Sequence, residues 1–424
     1  MYKKEGMAMS GSTKNFFSQK KEWSIIKDNL LESYLLPYFQ KVLCTGKPIC
    51  YIDCFAGQGK FDDGKDGSPL IAIKTAIKSV KQSQIDDDQI QLQLVFIEPQ
   101  YAHELENKID GLKKEYVDLG LNTHVYDKHF ENSIYKIIKE NENQNFFLYI
   151  DPFGIKQLNY SILEKIMHLP YHTIEILLNF NSFGFFRVAC RALDVKIKNK
   201  QILQDIEEDV LKIEPSKSEE TLRIIMGTDQ WKEIILEYRD DKIDGYLAEK
   251  KITNLFENQL RKQFKFVLDM PIRLKEGNRP KYRMIHMTNH SDGCMLMVAN
   301  IMKRHSELIL NVQHHGQVSL FDEDPYMQNA ENEFYSEEDI KNRIEDSIRS
   351  YHRNVEVHYK DFAAKFYSEN GLLCTLKQFQ EYLTRFKAKG IIEIIREPAI
   401  TKNGKNSTFW TETKGKKIFI KRKI

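Results

Sequence analysis

The period of the apolar positions changes along the chain. From Trp23 to Val42, Ile26, Leu30, Tyr34, Leu35 and Tyr38 recur every third or fourth residue, which predicts an amphipathic helix able to lie on a sheet. Four short apolar runs follow, Ile49 to Ile52, Leu92 to Ile97, Phe146 to Ile150 and Ile174 to Leu178, each closed by Asp, Glu or Asn, and these predict buried strands. Thr123 to Tyr126 adds a weaker one. Helical segments separate them at Pro69 to Lys81, Ala102 to Leu119 and Tyr160 to Met167. Strands alternating with helices predict a doubly wound α/β domain with a parallel, Rossmann-like sheet. In such sheets ligands bind beyond the carboxyl ends of the strands, where all the strand-closing polar residues fall.

Arg187 to Arg261 is rich in charge and in Leu and Ile at helical spacing, the pattern of a helical insertion. Phe264 to Leu274 and Tyr282 to Thr288 predict two more strands turning near Gly277, followed by a helix from Asp292 to Lys303. Between Phe321 and Asp346 ten acidic residues face two basic ones, with Pro325, Asn329 and Asn332 breaking any pattern. The first part of that stretch is therefore a linker, and a helix starts near Ser336, an N-cap followed by Glu338 and Asp339. The domains expected are 1–320, a linker at 321–335 and a basic module at 336–424.

Composition narrows the class. With 41% hydrophobic and 29% charged residues this is an ordinary globular chain, and 424 residues suit two cores better than one. The net charge of +2 conceals segregation, since Val355 to Ile424 alone carries fifteen basic against seven acidic residues. No apolar run approaches the roughly 18 residues of a membrane span, and Met1 to Lys21 has no apolar stretch like a signal peptide, so a cytoplasmic location is expected. The six cysteines form no CxxC pair, which argues for buried thiols over a disulfide framework or zinc site. His168 and His172 have the spacing of helical metal ligands, but Pro170 between them interrupts the helix, and no metal site is expected.

Chemistry concentrates at three strand ends. Tyr51-Ile52-Asp53-Cys54-Phe55-Ala56-Gly57-Gln58-Gly59 runs from a strand into a glycine turn, where Gly57 and Gly59 let backbone approach a cofactor, Phe55 is a further cofactor-binding candidate and Asp53 can accept from an amino group. Asp62 stands where a dinucleotide fingerprint requires its third glycine, and the helix waits until Ser68-Pro69, so a diphosphate cradle is not indicated. Glu98 ends the second strand, where a carboxylate commonly bonds both ribose hydroxyls. Asp151-Pro152-Phe153 ends the fourth. There an acid, a proline and an aromatic ring suggest a base-methylation site in which the acid holds the target nitrogen and the ring stacks on the base, although only one proline is present. Asp127, after the third strand, is the candidate for the adenine. S-adenosylmethionine is the cofactor these features favour.

The same residues carry a resemblance. Phe55 to Gly59, Asp63-Gly64, Gly67-Ser68-Pro69-Leu70, Phe96-Ile97-Glu98, Ile150 to Gly154, Leu177-Leu178-Asn179-Phe180 and Met287-Thr288-Asn289-His290 before Gly293 resemble the three-Cys-motif partner (TcmP) family, from about Trp23 to about Arg304. The resemblance implies a prokaryotic protein with a methyltransferase-like Rossmann domain, encoded beside a three-cysteine-motif protein that is similar to radical S-adenosylmethionine enzymes.

In the basic module, Tyr359 to Ser368 and Thr375 to Lys389 read as helices joined at Gly371. Ile391 to Arg396 and Thr408 to Thr411 read as strands around an Asn403-Gly404 turn. That order predicts a winged helix, with Lys377, Gln378, Gln380, Arg385 and Lys387 facing DNA or RNA and Lys402 and Lys405 on phosphates. Gln317 to Phe321 resembles a peptide that docks on the replication sliding clamp. Two functions fit these signals: a methyltransferase acting on a nucleic-acid base, or a non-catalytic adaptor that senses a cofactor and brings a partner enzyme to nucleic acid.

Overall fold

The structure, a computed structural model, describes residues 19–83, 90–197, 215–272, 282–313, 336–413 and 415–424. The expected turn at Gly277, the linker at 321–335 and the Gln317 to Phe321 peptide lie outside the described residues.

The chain alternates as its apolar periods require: α1 (Glu22–Leu43), β1 (Ile49–Asp53), α2 (Ser68–Gln82), β2 (Leu92–Ile97), α3 (Ala102–Tyr116), β3 (Leu121–Tyr126), α4 (Phe130–Glu140), β4 (Asn145–Ile150), α5 (Tyr160–Ile166) and β5 (Thr173–Phe180). Four helices follow, α6 (Ser182–Ala192), α7 (Pro215–Met226), α8 (Trp231–Arg239) and α9 (Gly245–Leu260), then β6 (Phe266–Ile272) and β7 (Tyr282–Thr288). The strands form one mostly parallel seven-stranded sheet in the order β3-β2-β1-β4-β5-β7-β6, a Rossmann-like α/β arrangement. β1 and β4 are buried along their whole length, as sheets covered by helices on both faces require, whereas edge strand β3 is mostly half-buried or exposed.

Helix α4 is absent from the sequence expectation. Its Ile134, Ile137 and Ile138 are buried, but the first turn reads Phe-Glu-Asn-Ser and no side chain caps it, so its start resembles a loop. The insertion expected between 187 and 261 is helical in every described element, although its first helix begins at Ser182. Five of the six cysteines are buried as expected; Cys44, just past α1, is exposed.

Two buried polar contacts fasten the layers. The Tyr34 hydroxyl on α1 donates to Glu175 on β5, whose Oε2 also lies 3.2 Å from His286 Nε2 on β7. Arg283 on β7 makes a two-pronged ion pair with Glu249 on α9, at 2.8 and 3.0 Å, both side chains being almost wholly buried.

The chain divides into two compact units: the second takes Phe266–Asp269 at the start of β6 and everything from Thr288 on, so that α10 (Ser291–Gln313) belongs with the C-terminal elements, where the sequence suggested a boundary at 320. The second unit continues with α11 (Glu337–Arg349), β8 (Glu356–His358), α12 (Tyr359–Asn370), α13 (Leu376–Ala388), β9 (Ile392–Glu397) and β10 (Lys417–Arg422). Helix α11 opens with the expected Ser336 cap, closed into a capping box by Asp339. The strands form an antiparallel sheet in the order β8-β10-β9. Thr408 to Thr411 is not the partner of β9. That role falls to Lys417–Arg422, because Arg396 Nε donates to the Phe409 carbonyl and its guanidinium covers the Trp410 ring, holding the segment as an anchored loop.

Glu249→Gln should destabilise the protein by about 3–5 kcal/mol, because it leaves the Arg283 charge buried against a neutral partner. Combining Glu249→Leu with Arg283→Met, which replaces both charges by apolar groups, should avoid most of that loss. Urea unfolding of the variants tests this; a loss under about 1 kcal/mol for Glu249→Gln would contradict it.

Candidate functional site

Strand pairing sets the site. Asp53 is in register with Phe96 on β2 and Tyr149 on β4, so the acids that end or follow these strands, Asp53, Glu98 and Asp151, share the carboxyl edge of the sheet. At that edge opens a cleft of about 730 Å³ counting its mouth. Its walls come from α1 (Trp23, Ser24, Lys27, Asp28), the long β1–α2 loop (including Phe55, Gly57, Gly59, Phe61 and Ser68), Asp151-Pro152-Phe153, Asn179 and Tyr282.

The loop is a rigid wall. Gly57 and Gly59 have φ of +63° and +78°, left-handed values that favour glycine. A Cβ on Gly59 would lie 2.7 Å from Leu105 Cδ1, and one on Gly67 would lie 3.1 Å from the Gly59 carbonyl oxygen. Gly67 N donates back to that oxygen at 2.8 Å, and Lys108 Nζ donates to the Gln58 carbonyl at 2.7 Å. Lys20, just before α1, holds the far end of the loop: its amide donates to Asp63 and its ammonium to the Asp66 carbonyl.

Of the residues expected to meet a cofactor, Phe55, Gly57 and Gly59 line the cleft, and so do Asp151, Pro152 and Phe153. Asp53, Glu98 and Asp127 do not. Asp53 is 0% exposed at the foot of the glycine turn. Its Oδ1 accepts from the Phe55 amide at 3.3 Å, while Oδ2 has no hydrogen-bond partner. Glu98 is 2% exposed, its Oε2 accepting from Gly57 N and its Oε1 from Gln100 N and Tyr101 N. It therefore braces the glycine turn from behind. Asp127 is exposed beyond the edge strand.

Asp151 differs most from expectation. Both its oxygens accept from Lys27 Nζ, at 2.8 and 2.6 Å; Oδ1 also accepts from Asn179 Nδ2 at 2.7 Å and Oδ2 from the Tyr149 hydroxyl at 3.2 Å. A carboxylate has about four acceptor positions, so all are filled and none is left for a target nitrogen. The Tyr149 hydroxyl remains a donor because burial, reinforced by Asp151, pushes its pKa far above the usual value. Asn179 is 3% exposed, and its Oδ1 has no partner. Phe153 is 44% exposed at the mouth, positioned to receive a planar group.

Sequence reasoning missed Lys27, Asp28 and the role of Asn179. Asn179 did carry a signal, as the polar residue closing an apolar strand; Lys27 carried none, since its partner is 124 residues away. Asp28 is paired with Lys20, yet burial pushes its carboxyl up to about 6 against that ion pair. Burial likewise pushes Asp53 up to about 7, only partly opposed by the Ser68 hydroxyl and the Phe55 amide.

Among the described residues no group of three or more His, Cys, Asp or Glu side chains could hold a metal ion. No described helix is long and apolar enough to cross a membrane.

In the C-terminal unit, Lys377, Arg385 and Lys387 are exposed on α13, and Lys402 and Lys405 are exposed on the turn closed by Thr401 and Lys405. Gln378 and Gln380 are engaged within the fold. Gln378 forms a capping box with Thr375, and Gln380 Nε2 donates to the Tyr359 hydroxyl at 3.1 Å. Comparison with family models gave no match, and comparison with curated proteins gave none either.

The Asp53 pKa sits above its unfolded value of 3.8, so the stability it contributes is complete below that pH and is lost as pH rises through about 7. Wild-type protein should lose a few kcal/mol, roughly 3 to 5, over this window, and Asp53→Asn should remove that component. Denaturation midpoints measured from about pH 4 to 8 test it; parallel profiles for the two proteins would refute the assignment.

Proposed function

We propose that the first unit binds S-adenosylmethionine in the cleft and transfers its methyl group to a nucleic-acid base, beside a three-cysteine-motif partner similar to radical S-adenosylmethionine enzymes. The observation that carries this reading is that Phe55, Gly57 and Gly59 of the glycine turn line a cleft at the carboxyl edge of the sheet, where ligands of such sheets bind. The sheet order agrees with this choice over a dinucleotide: β7 lies between β5 and β6, a departure from the dinucleotide-binding order 3-2-1-4-5-6.

The cofactor, when bound, supplies an electrophilic methyl on a sulfonium. Gly57 and Gly59 would admit it closely, and Phe55, which lines the same cleft, would cover it. Phe153 stacks on the acceptor base. Orientation then supplies most of the rate.

The second unit is proposed as a winged helix that grips nucleic acid, with Lys377, Arg385 and Lys387 on the presented face of α13 and Lys402 and Lys405 on the wing. Its three-stranded sheet against helices α11 to α13 and its excess of basic residues support this. One observation favours the adaptor reading instead: the filled acceptor positions of Asp151, which leave that carboxylate unable to hold a target nitrogen.

Titration calorimetry of the full chain should detect S-adenosylmethionine binding. Absence of any binding heat or thermal shift would end the cofactor reading. Methyl transfer abolished by Asp151→Ala with nucleic-acid affinity intact supports the enzyme; no transfer by wild type in the presence of its partner favours the adaptor.

Lys402→Glu with Lys405→Glu should weaken binding of a duplex oligonucleotide similarly across sequences and lower the slope of log K against log salt by about 2. An unchanged slope would remove the wing from the interface.

A further inference from the structure

Asn179 ends β5 at the cleft wall, and its amide can face only one way. Its neighbour Asp151 is an acceptor, so the Asn179 side chain must turn its nitrogen there, and the Nδ2 to Oδ1 distance of 2.7 Å fits that arrangement. The amide oxygen therefore faces away from Asp151, in a side chain 3% exposed, with no hydrogen-bond partner. A buried carbonyl oxygen left without a donor carries a penalty of about 1–3 kcal/mol, which a ligand N–H removes.

The charge nearby selects the kind of donor. Lys27 lies on both oxygens of Asp151, so this end of the cleft holds a neutralised pair and presents an uncharged acceptor. A cationic ligand group gains little there, whereas a neutral N–H gains a full hydrogen bond. Phe153 at the mouth offers a face to a planar group.

We propose that Asn179 Oδ1 is the acceptor for a neutral, planar N–H donor of the substrate, the exocyclic amino group of a nucleobase, and that Asp151 is a positioning residue that fixes the Asn179 amide. The proposal rests on the base-methylation reading for its substrate class and relocates the recognition contact from the β4 end to the β5 end. Lys27 completes the device, since without it the Asp151 charge would face the cleft uncompensated.

The test uses the full chain, saturated with S-adenosylhomocysteine to fill the cofactor position, and two pairs of nucleosides: adenosine against purine riboside, and cytidine against its analogue lacking the 4-amino group. Wild type should bind the amino-bearing member of at least one pair roughly five- to tenfold more tightly, the worth of one hydrogen bond. Asn179→Ala should erase that preference. Asp151→Asn should reduce it in part, because an amide at 151 no longer dictates which way Asn179 turns. Asn179→Ser, which removes less volume, repeats the test should the alanine variant melt early. No preference in wild type within either pair overturns the proposal whatever the variants do, and so does a preference that survives Asn179→Ala or Asn179→Ser while Asp151→Asn abolishes it. Failure of S-adenosylhomocysteine to bind wild type, with the amino preference and its dependence on Asn179 intact, removes the cofactor reading and leaves this inference standing.

Discussion

The ion pair between Lys27 and Asp151 ties the opening helix to the carboxyl edge of the sheet, and the character of the cleft follows from it. Two cations, Lys20 and Lys27, meet three acids, Asp28, Asp53 and Asp151, at this edge, and the pairs Lys20–Asp28 and Lys27–Asp151 leave Asp53 over. Burial then pushes the unpaired acid up to about 7, and it also lifts the paired Asp28 to about 6. The side chains of the Lys27–Asp151 pair are partly buried, so Asp151 without Lys27 would leave a carboxylate in the wall lacking its strongest donor.

The glycine turn is constrained from three sides. Leu105 crowds Gly59, Glu98 holds Gly57 N, and the Gly67 amide closes on the Gly59 carbonyl. The long excursion between Lys60 and Asp66 is clasped by Lys20, from the same segment that leads into Lys27 and Asp28. Loop and helix thus form one wall.

The strands that carry the site were legible because both faces of a covered parallel sheet must be apolar, and a polar residue ends each run where the chain leaves the core. The glycine turn and the late start of α2 were legible because conformation at Gly59 and the Pro69 start restrict residue choice. Lys27 was not, since a cation on an amphipathic stripe has no local sign that its partner lies across the sheet. Strand β8, three residues long, is too short to show a period, and the aromatic segment at Phe409 and Trp410 has strand-like composition while its rings and backbone are engaged by Lys416 and Arg396. The Ser336 cap was readable because it depends only on the residues beside it. The two glutamines of α13 were misread because helical spacing does not reveal that one caps the helix and the other meets Tyr359.

A neutral acceptor at Asn179 has a consequence for the proposed division of labour. One uncharged hydrogen bond and one stacked ring contribute of the order of 1–3 kcal/mol between them, enough to choose one base from another but too little to hold a polynucleotide. Affinity must then come from contacts that do not depend on the base, which is what the exposed lysines and arginine of α13 and of the turn at 401–405 offer. On that reading the cleft supplies discrimination and the basic unit supplies residence, and each can be weakened by substitution without abolishing the other. A chain in which both fell together on a single change in the cleft would have a different logic, with the sheet edge acting as a structural support for the basic unit.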